Sequence, residues 1–170
     1  MTIIRPVAFA LAISALAVPA LAQESITVSV RDADGALVTE LTLSDAGNGV
    51  LITGTVAGIP PGPHAIHFHE VGECVPPFES AGGHFNPGGH EHGILNPEGH
   101  HAGDLPNIVM PDEGDGTIQI FAAHVTLADG AEHSLRDGDG TAIVIHDGPD
   151  DYRTDPAGES GDRIACGVVE

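Results

Sequence analysis

Apolar and polar residues alternate through the first third of the chain. From Ser25 to Arg31, Ile26, Val28 and Val30 share one register and Thr27 and Ser29 the other. A period of two marks a half-buried strand. Asp32-Ala-Asp-Gly35 then reads as a hairpin turn, and Ala36–Leu43 alternates again around Leu37, Leu41 and Leu43. A second turn at Asp45-Ala-Gly-Asn-Gly49 leads into Gly49–Ala57, where Val50, Ile52 and Val56 stand among threonines. Gly58-Ile-Pro-Pro-Gly62 breaks the pattern, and a fourth strand is predicted over Pro63–His69. Phe68 takes the opposite register from His67 and His69, so that strand carries chemistry on one face and packing on the other.

Beyond it the pattern stops. Glu70–Gly103 is rich in Gly, Pro and His and holds no sustained period of 2 or 3.6. So long a loop inside a compact domain is uncommon and usually functional. Short strands are predicted again at Asp104–Met110, Thr117–Leu127, Thr141–His146 and Ile164–Val169. An acidic, glycine-rich turn covers Ala128–Gly140, and a second long loop covers Asp147–Asp162. The count is eight strands with no amphipathic helix. The fold class is therefore all-β, a sandwich or barrel with two long functional loops.

The 170 residues suggest one domain. Residues 1–22 read as a secretory signal peptide: Arg5, an apolar run from Val7 to Val18, and an Ala20-Leu21-Ala22 cleavage signal. The run is too short for a membrane span. Residues 23–170 are the expected folded domain, exported by that signal. The net charge of −20 comes without a single lysine. Such a surface repels nucleic acid and anionic membranes, so neither is expected as a partner. The acid excess suits solubility or a salty habitat better than an interaction surface. Two cysteines, Cys74 and Cys166, in an exported chain favour one disulfide. It would close a loop of about 92 residues, worth roughly 4–5 kcal/mol in the chain-entropy model. A pair of thiolate metal ligands is the competing reading.

Eight of the eleven histidines lie between His64 and Asp104: His64, His67, His69, His84, His90, His92, His100 and His101. Neutral imidazole is the commonest nitrogen ligand for zinc and copper. His67 and His69, two apart on a strand, can share one ion. A histidine-rich surface loop holding no metal is the alternative.

Six spaced motifs run in order through the chain. They are His64-Ala-Ile-His67-Phe-His69 with Gly72 and Cys74; Gly83-His84-Phe-Asn-Pro87; His92-Gly93; His101-Ala-Gly-Asp104-Leu; Ile145-His146 followed by Asp150; and Gly161-Asp-Arg163-Ile-Ala-Cys166-Gly-Val168. With all six in register, the chain resembles the copper/zinc superoxide dismutases of the exported bacterial kind.

The resemblance implies an eight-stranded Greek-key β-barrel. It implies one copper per subunit on His67, His69, His84 and His146, and one zinc per subunit on His84, His92, His101 and Asp104. His84 would bridge the two as an imidazolate. Asp150 would orient one ligand of each ion, Cys74 and Cys166 would pair, and Arg163 would position superoxide. The implied activity is dismutation of superoxide to dioxygen and hydrogen peroxide by a copper redox cycle, with zinc as the structural ion and Arg163 and His84 as the catalytic residues. Relatives occur as dimers and as monomers, so a homodimer is one expected assembly. His64 reads as a structural histidine, and His124 and His133 as solvated ones.

Some positions depart from the family pattern. Ala65-Ile66 stands where Gly-Phe is usual, Ala157 where a channel threonine is frequent, and Pro156 where a lysine is common. Glu159 adds an acid nearby, and the attracting lysines are missing. Two rivals remain from the sequence. A non-catalytic periplasmic copper/zinc-binding protein on the same fold would be expected to lose Arg163 or His146, and both are present. A zinc hydrolase would need an open coordination position and a general base, whereas this ligand set looks closed.

Overall fold

The computed structural model describes residues 24–170. The signal peptide expected at residues 1–22 lies outside the described residues. Nine strands form among the described residues: β1 (Ser25–Asp32), β2 (Leu37–Asp45), β3 (Gly49–Val56), β4 (Gly62–His64), β5 (Ile66–His69), β6 (Ile108–Met110), β7 (Gly116–Ala123), β8 (Thr141–His146) and β9 (Arg163–Val169). A single 3₁₀ turn at Glu79–Ala81 is the one helical element among the described residues. No helix there is long and apolar enough to cross a membrane.

Seven strands make one curled antiparallel sheet in the order β5-β8-β9-β1-β2-β3-β7, and β4 pairs with β6. The all-β expectation holds. The strand count does not, and the reason is local. The strand expected over Pro63–His69 changes partners at Ala65. Before it, β4 pairs with β6; after it, β5 pairs with β8. Ala65 itself donates to Gly148 O and accepts from His146 N–H. The strand expected from Asp104 forms only from Ile108. The one expected to reach Leu127 stops at Ala123, because His124 adopts φ 65°.

Alternation decides which residues enter the core. Along β7, Ile118, Ile120 and Ala122 are buried while Phe121 is exposed. In β2 a bulge upsets the expected face. Val30 opposes Thr39 but Arg31 opposes Leu37, so Val38 is the extra residue. Val38 turns inward at 4% exposure and Leu37 outward at 49%. One inserted residue flips every side chain that follows it.

The two strands that matter most for the site, β5 and β8, are buried throughout. On one side lies the main core of Val28, Leu41, Ile52, Phe68 and Ile143. On the other, the start of the long loop lays Phe78 and Ala81 against Ala142, Val144 and Cys166. The Cys74–Cys166 disulfide ties that loop to β9, with Cα atoms 5.7 Å apart.

Candidate metal centre

The free edge of β5 organises the site. An open strand edge needs cover, and here two loop segments supply it. Phe68 N–H donates to Gly103 O, Phe85 N–H to Phe68 O, and Gly103 N–H to Phe85 O. The same pairing sets His67 opposite Asp104 and His69 opposite His84. Gly103 is required for it, since a Cβ there would stand 2.3 Å from Phe68 O. Loop residues 84 and 104 are thereby held at strand precision beside His67 and His69, while β8 brings in His146.

Two donor groups result. His67, His69, His84 and His146 form one; His84, His92, His101 and Asp104 form the other; in each, the donor atoms lie within 4.8 Å of one another. All seven residues are buried.

In the first group, His67 Nδ1, His69 Nε2, His84 Nε2 and His146 Nε2 are buried and have no hydrogen-bond partner. Each buried, unpaired polar atom costs roughly 1–3 kcal/mol, so four facing one another call for a shared cation. Their other nitrogens are engaged. His67 Nε2–H donates to Asp150 Oδ2 at 2.8 Å, and His69 Nδ1–H donates to Gly82 O at 3.1 Å. His146 Nδ1 lies 3.1 Å from Ser160 Oγ and 3.3 Å from Gly161 O. Burial pushes His146 down to about 3, His84 down to about 4, and His69 well below the ordinary imidazole value. Those three rings are therefore neutral at physiological pH, the state in which imidazole binds a metal. Four imidazoles suit both oxidation states of copper.

In the second group, Asp104 Oδ1 stands 2.8 Å from His84 Nδ1, 3.0 Å from His92 Nδ1 and 3.2 Å from His101 Nδ1. His101 Nδ1 is 3.3 Å from His84 Nδ1. Ligands about 2.0 Å from a tetrahedral ion would be separated by about 3.3 Å, so this near-tetrahedral set of three nitrogens and one oxygen fits zinc. Asp104 Oδ2 is oriented by the Gly93 and His101 N–H groups. Burial raises the Asp104 carboxyl, but the bonds from His101, His84, His92 and Gly93 prevail and hold it well below the carboxylate range.

Asp150 joins the groups. Its Oδ1 takes His92 Nε2–H at 3.0 Å and its Oδ2 takes His67 Nε2–H, so one carboxylate fixes a ring of each set. Burial alone would lower His92, yet its bonds to Asp104 and Asp150 raise it to about 9. Three residues that the sequence reading passed over hold Asp150. Asn107 bonds the Asp150 backbone in both directions, through Nδ2 to its O and through Oδ1 from its N–H. Tyr152 N–H donates to Asp150 Oδ1, and Tyr152 OH accepts from Asn107 N–H. Gly158 leaves the space beside Oδ1 open. An Asn on a loop carries no motif, so only the fold reveals its partner.

Arg163 opens into a cleft of about 420 Å³ that reaches His69 and His146. Its Nη1 and Nη2 donate to Phe78 O and Gly82 O, each at 2.7 Å. The rim carries Glu79, Asp155, Glu159 and Asp162. His64 is buried, with Nδ1 2.8 Å from His146 O and Nε2 2.9 Å from Pro60 O, a supporting position for β8. His90, His100, His124 and His133 belong to neither donor group.

A family model described as copper/zinc superoxide dismutase matches residues 37–169. The chain is 52% identical to superoxide dismutase [Cu-Zn] 2 of Aquifex aeolicus over 138 residues, which cover 80% of this chain and 81% of that one. It is 43% identical to a superoxide dismutase [Cu-Zn] of Caulobacter vibrioides, covering 86% of each. Among solved structures, a superoxide dismutase-like protein from Bacillus subtilis superposes with a TM-score of 0.80 at 38% identity, over 85% of this chain and 97% of that one. The Cu/Zn superoxide dismutase from Brucella abortus superposes with a TM-score of 0.70 at 31% identity, over 86% and 100%.

Proposed function

The chain belongs to the copper/zinc superoxide dismutase family, and on that footing we propose the part each of its own residues plays in the reaction. The enzyme converts two superoxide anions and two protons into dioxygen and hydrogen peroxide. Bound copper supplies the one-electron couple this needs, and zinc, which has no redox chemistry, supplies fixed charge and shape.

His67, His69, His84 and His146 hold the copper, and His84, His92, His101 and Asp104 the zinc. The observation that carries this reading is the set of four buried imidazole nitrogens with no partner, two of whose rings, His69 and His146, line one cleft with Arg163. Arg163 binds the anion. Its guanidinium is always charged, and its anchoring on two carbonyls fixes where the remaining N–H groups point. His84 takes up a proton at Nε2 and returns it to the reduced oxygen. Its other nitrogen faces Asp104, so the ring keeps its orientation when Nε2 changes state. Asp150 holds His67 and His92 in the required tautomers.

Export to an oxidising compartment, the periplasm, accompanies this function. The disulfide supports it, because such bonds persist in oxidising environments. The experiment is superoxide decay after pulse generation, using copper- and zinc-loaded protein beside His146→Ala. Fast decay is expected only in the parent chain, with zinc retained in both. Equal decay in both would sink the assignment of His146.

A further inference from the structure

Five of the eleven histidines stand outside the two donor groups. His64 is buried on carbonyls. The other four, His90, His100, His124 and His133, line one separate cleft of about 250 Å³, with Ala102 and Ala123 between them. They come from two distant segments, one in the long loop after β5 and one after β7. Folding, not sequence proximity, collects them.

The chemistry of the rings is already set. His100 Nδ1 lies 2.7 Å from His101 O, and His133 Nδ1 lies 3.1 Å from His124 O. A carbonyl can only accept, so Nδ1 carries the proton in each and Nε2 keeps its lone pair. That is how a protein presents imidazole to a metal ion. The His90 ring rests between Gly88 and Gly99, where a Cβ on either glycine would come within 2.9 Å of it. His124 and His133 hold left-handed backbone at φ 65° and 59°, a conformation few side chains adopt. Glu132 Oε1, 3.9 Å from His133 Nε2, adds negative charge beside that ring.

We propose that this cleft is a third metal site, which takes a divalent transition-metal cation on imidazole nitrogens of His90, His100, His124 and His133. It differs in kind from the two core groups. Among the described residues only those groups draw their donors within 4.8 Å of one another. Here the rings are exposed or half-buried; His100 and His133 are held by their carbonyls, and His90 and His124, whose rings make no hydrogen bond, rotate to close on an ion, so the ion exchanges readily. Once bound, it links the outer face of the zinc-bearing loop to the β7–β8 connection.

The test starts from protein already holding one copper and one zinc per chain, so failure to load the core registers separately. Cu²⁺ is then added, and binding is followed by equilibrium dialysis with metal analysis and by electron paramagnetic resonance. A third equivalent is expected, with a new Cu²⁺ signal split by nitrogen. In His124→Asn/His133→Asn, where Asn tolerates the left-handed backbone, the third equivalent weakens by about tenfold or more. The first two equivalents and superoxide decay stay unchanged. His90→Gln, on the other segment, weakens it too. Absence of a third equivalent from the parent chain, or a third equivalent unmoved in both variants, overturns the proposal.

Discussion

Gly158 lies so close to Asp150 that a β-carbon on it would stand 1.9 Å from Asp150 Oδ1 and 2.8 Å from His92 Nε2. It also sits at φ 65°, where a side chain is strained in any case. Gly158→Ala must therefore push the carboxylate off His92 and with it loosen His67. The expected result is a fall of about 10–100-fold in zinc affinity, the usual cost of losing a partner that orients a ligand. Zinc release to a chelator measures it, with Gly138→Ala, which meets nothing within 4 Å, as the comparison. Equal release from the two variants would remove Gly158 from the support of the site.

The rim of the cleft is acidic. Glu79, Asp155, Glu159 and Asp162 surround Arg163 on a chain of net charge −20 without lysine. An anion approaching it meets repulsion until it reaches Arg163 and the metals. Salt screens exposed charges over about 10 Å at 0.1 M, so added salt is expected to raise kcat/KM or leave it unchanged. Glu159→Lys is expected to raise kcat/KM severalfold at low ionic strength and to make the rate fall with salt. Stopped-flow decay at several ionic strengths decides it. A steep fall with salt in the parent chain would refute the repulsive rim.

The site was legible in the sequence because metal ligands must be particular residue types at particular spacings. His67 and His69 on one strand face, and Asp104 three residues after His101, keep those spacings in the folded protein. The all-β class was legible through alternation. What the sequence hid depends on partners distant along the chain. The change of partner at Ala65, the bulge at Val38, and the holding of Asp150 by Asn107 and Tyr152 exist only once other segments arrive. The same holds for His124 and His133. Read along the chain they are isolated and solvated, and only the fold sets them beside His90 and His100.

A second polar cluster, half-buried, lies apart from the donor groups. The Asp45 carboxylate accepts from Thr126 Oγ1 at 2.5 Å, Leu127 N–H at 2.8 Å and Gly47 N–H at 2.7 Å, so it closes the β2–β3 turn onto the segment after β7. The Thr126 bond, helped by the two backbone donors, holds its carboxyl below the ordinary value of 3.8 despite partial burial. A depressed carboxyl stabilises the fold above its unfolded-state pKa and loses that contribution as pH falls through the lower folded-state pKa. Asp45→Asn is expected to cost about 1 kcal/mol at pH 7, roughly 2–4 °C in Tm. The gap from the parent chain should narrow below about pH 4. Melting curves from pH 7 to pH 3 test this, and a gap that stays constant would assign the effect to something other than the carboxylate charge.

The disulfide and Arg163 act on one object. Cys166 lies three residues beyond Arg163 on β9, and Cys74 opens the segment whose Phe78 and Gly82 carbonyls hold the guanidinium. Gly82 O also receives His69 Nδ1–H, so that segment touches both Arg163 and one histidine of the first donor group. Breaking the bond releases the segment, while His67, His69 and His146 remain on β5 and β8. Cys74→Ser/Cys166→Ser is therefore expected to keep copper yet lose about tenfold in kcat/KM through misplacement of Arg163. It should also lose up to roughly 4–5 kcal/mol of stability on the chain-entropy model. Arg163→Lys in the disulfide-bonded protein removes the two-pronged anchoring and is expected to cost a similar factor. Because both changes act through the same group, combining them should cost little more than either alone. Metal analysis and circular dichroism establish that each variant is loaded and folded before rates are compared. Full activity in the serine variant would show that Phe78 and Gly82 hold their places without the bond. Multiplied losses in the combined variant would show that the disulfide acts on catalysis by another route than Arg163.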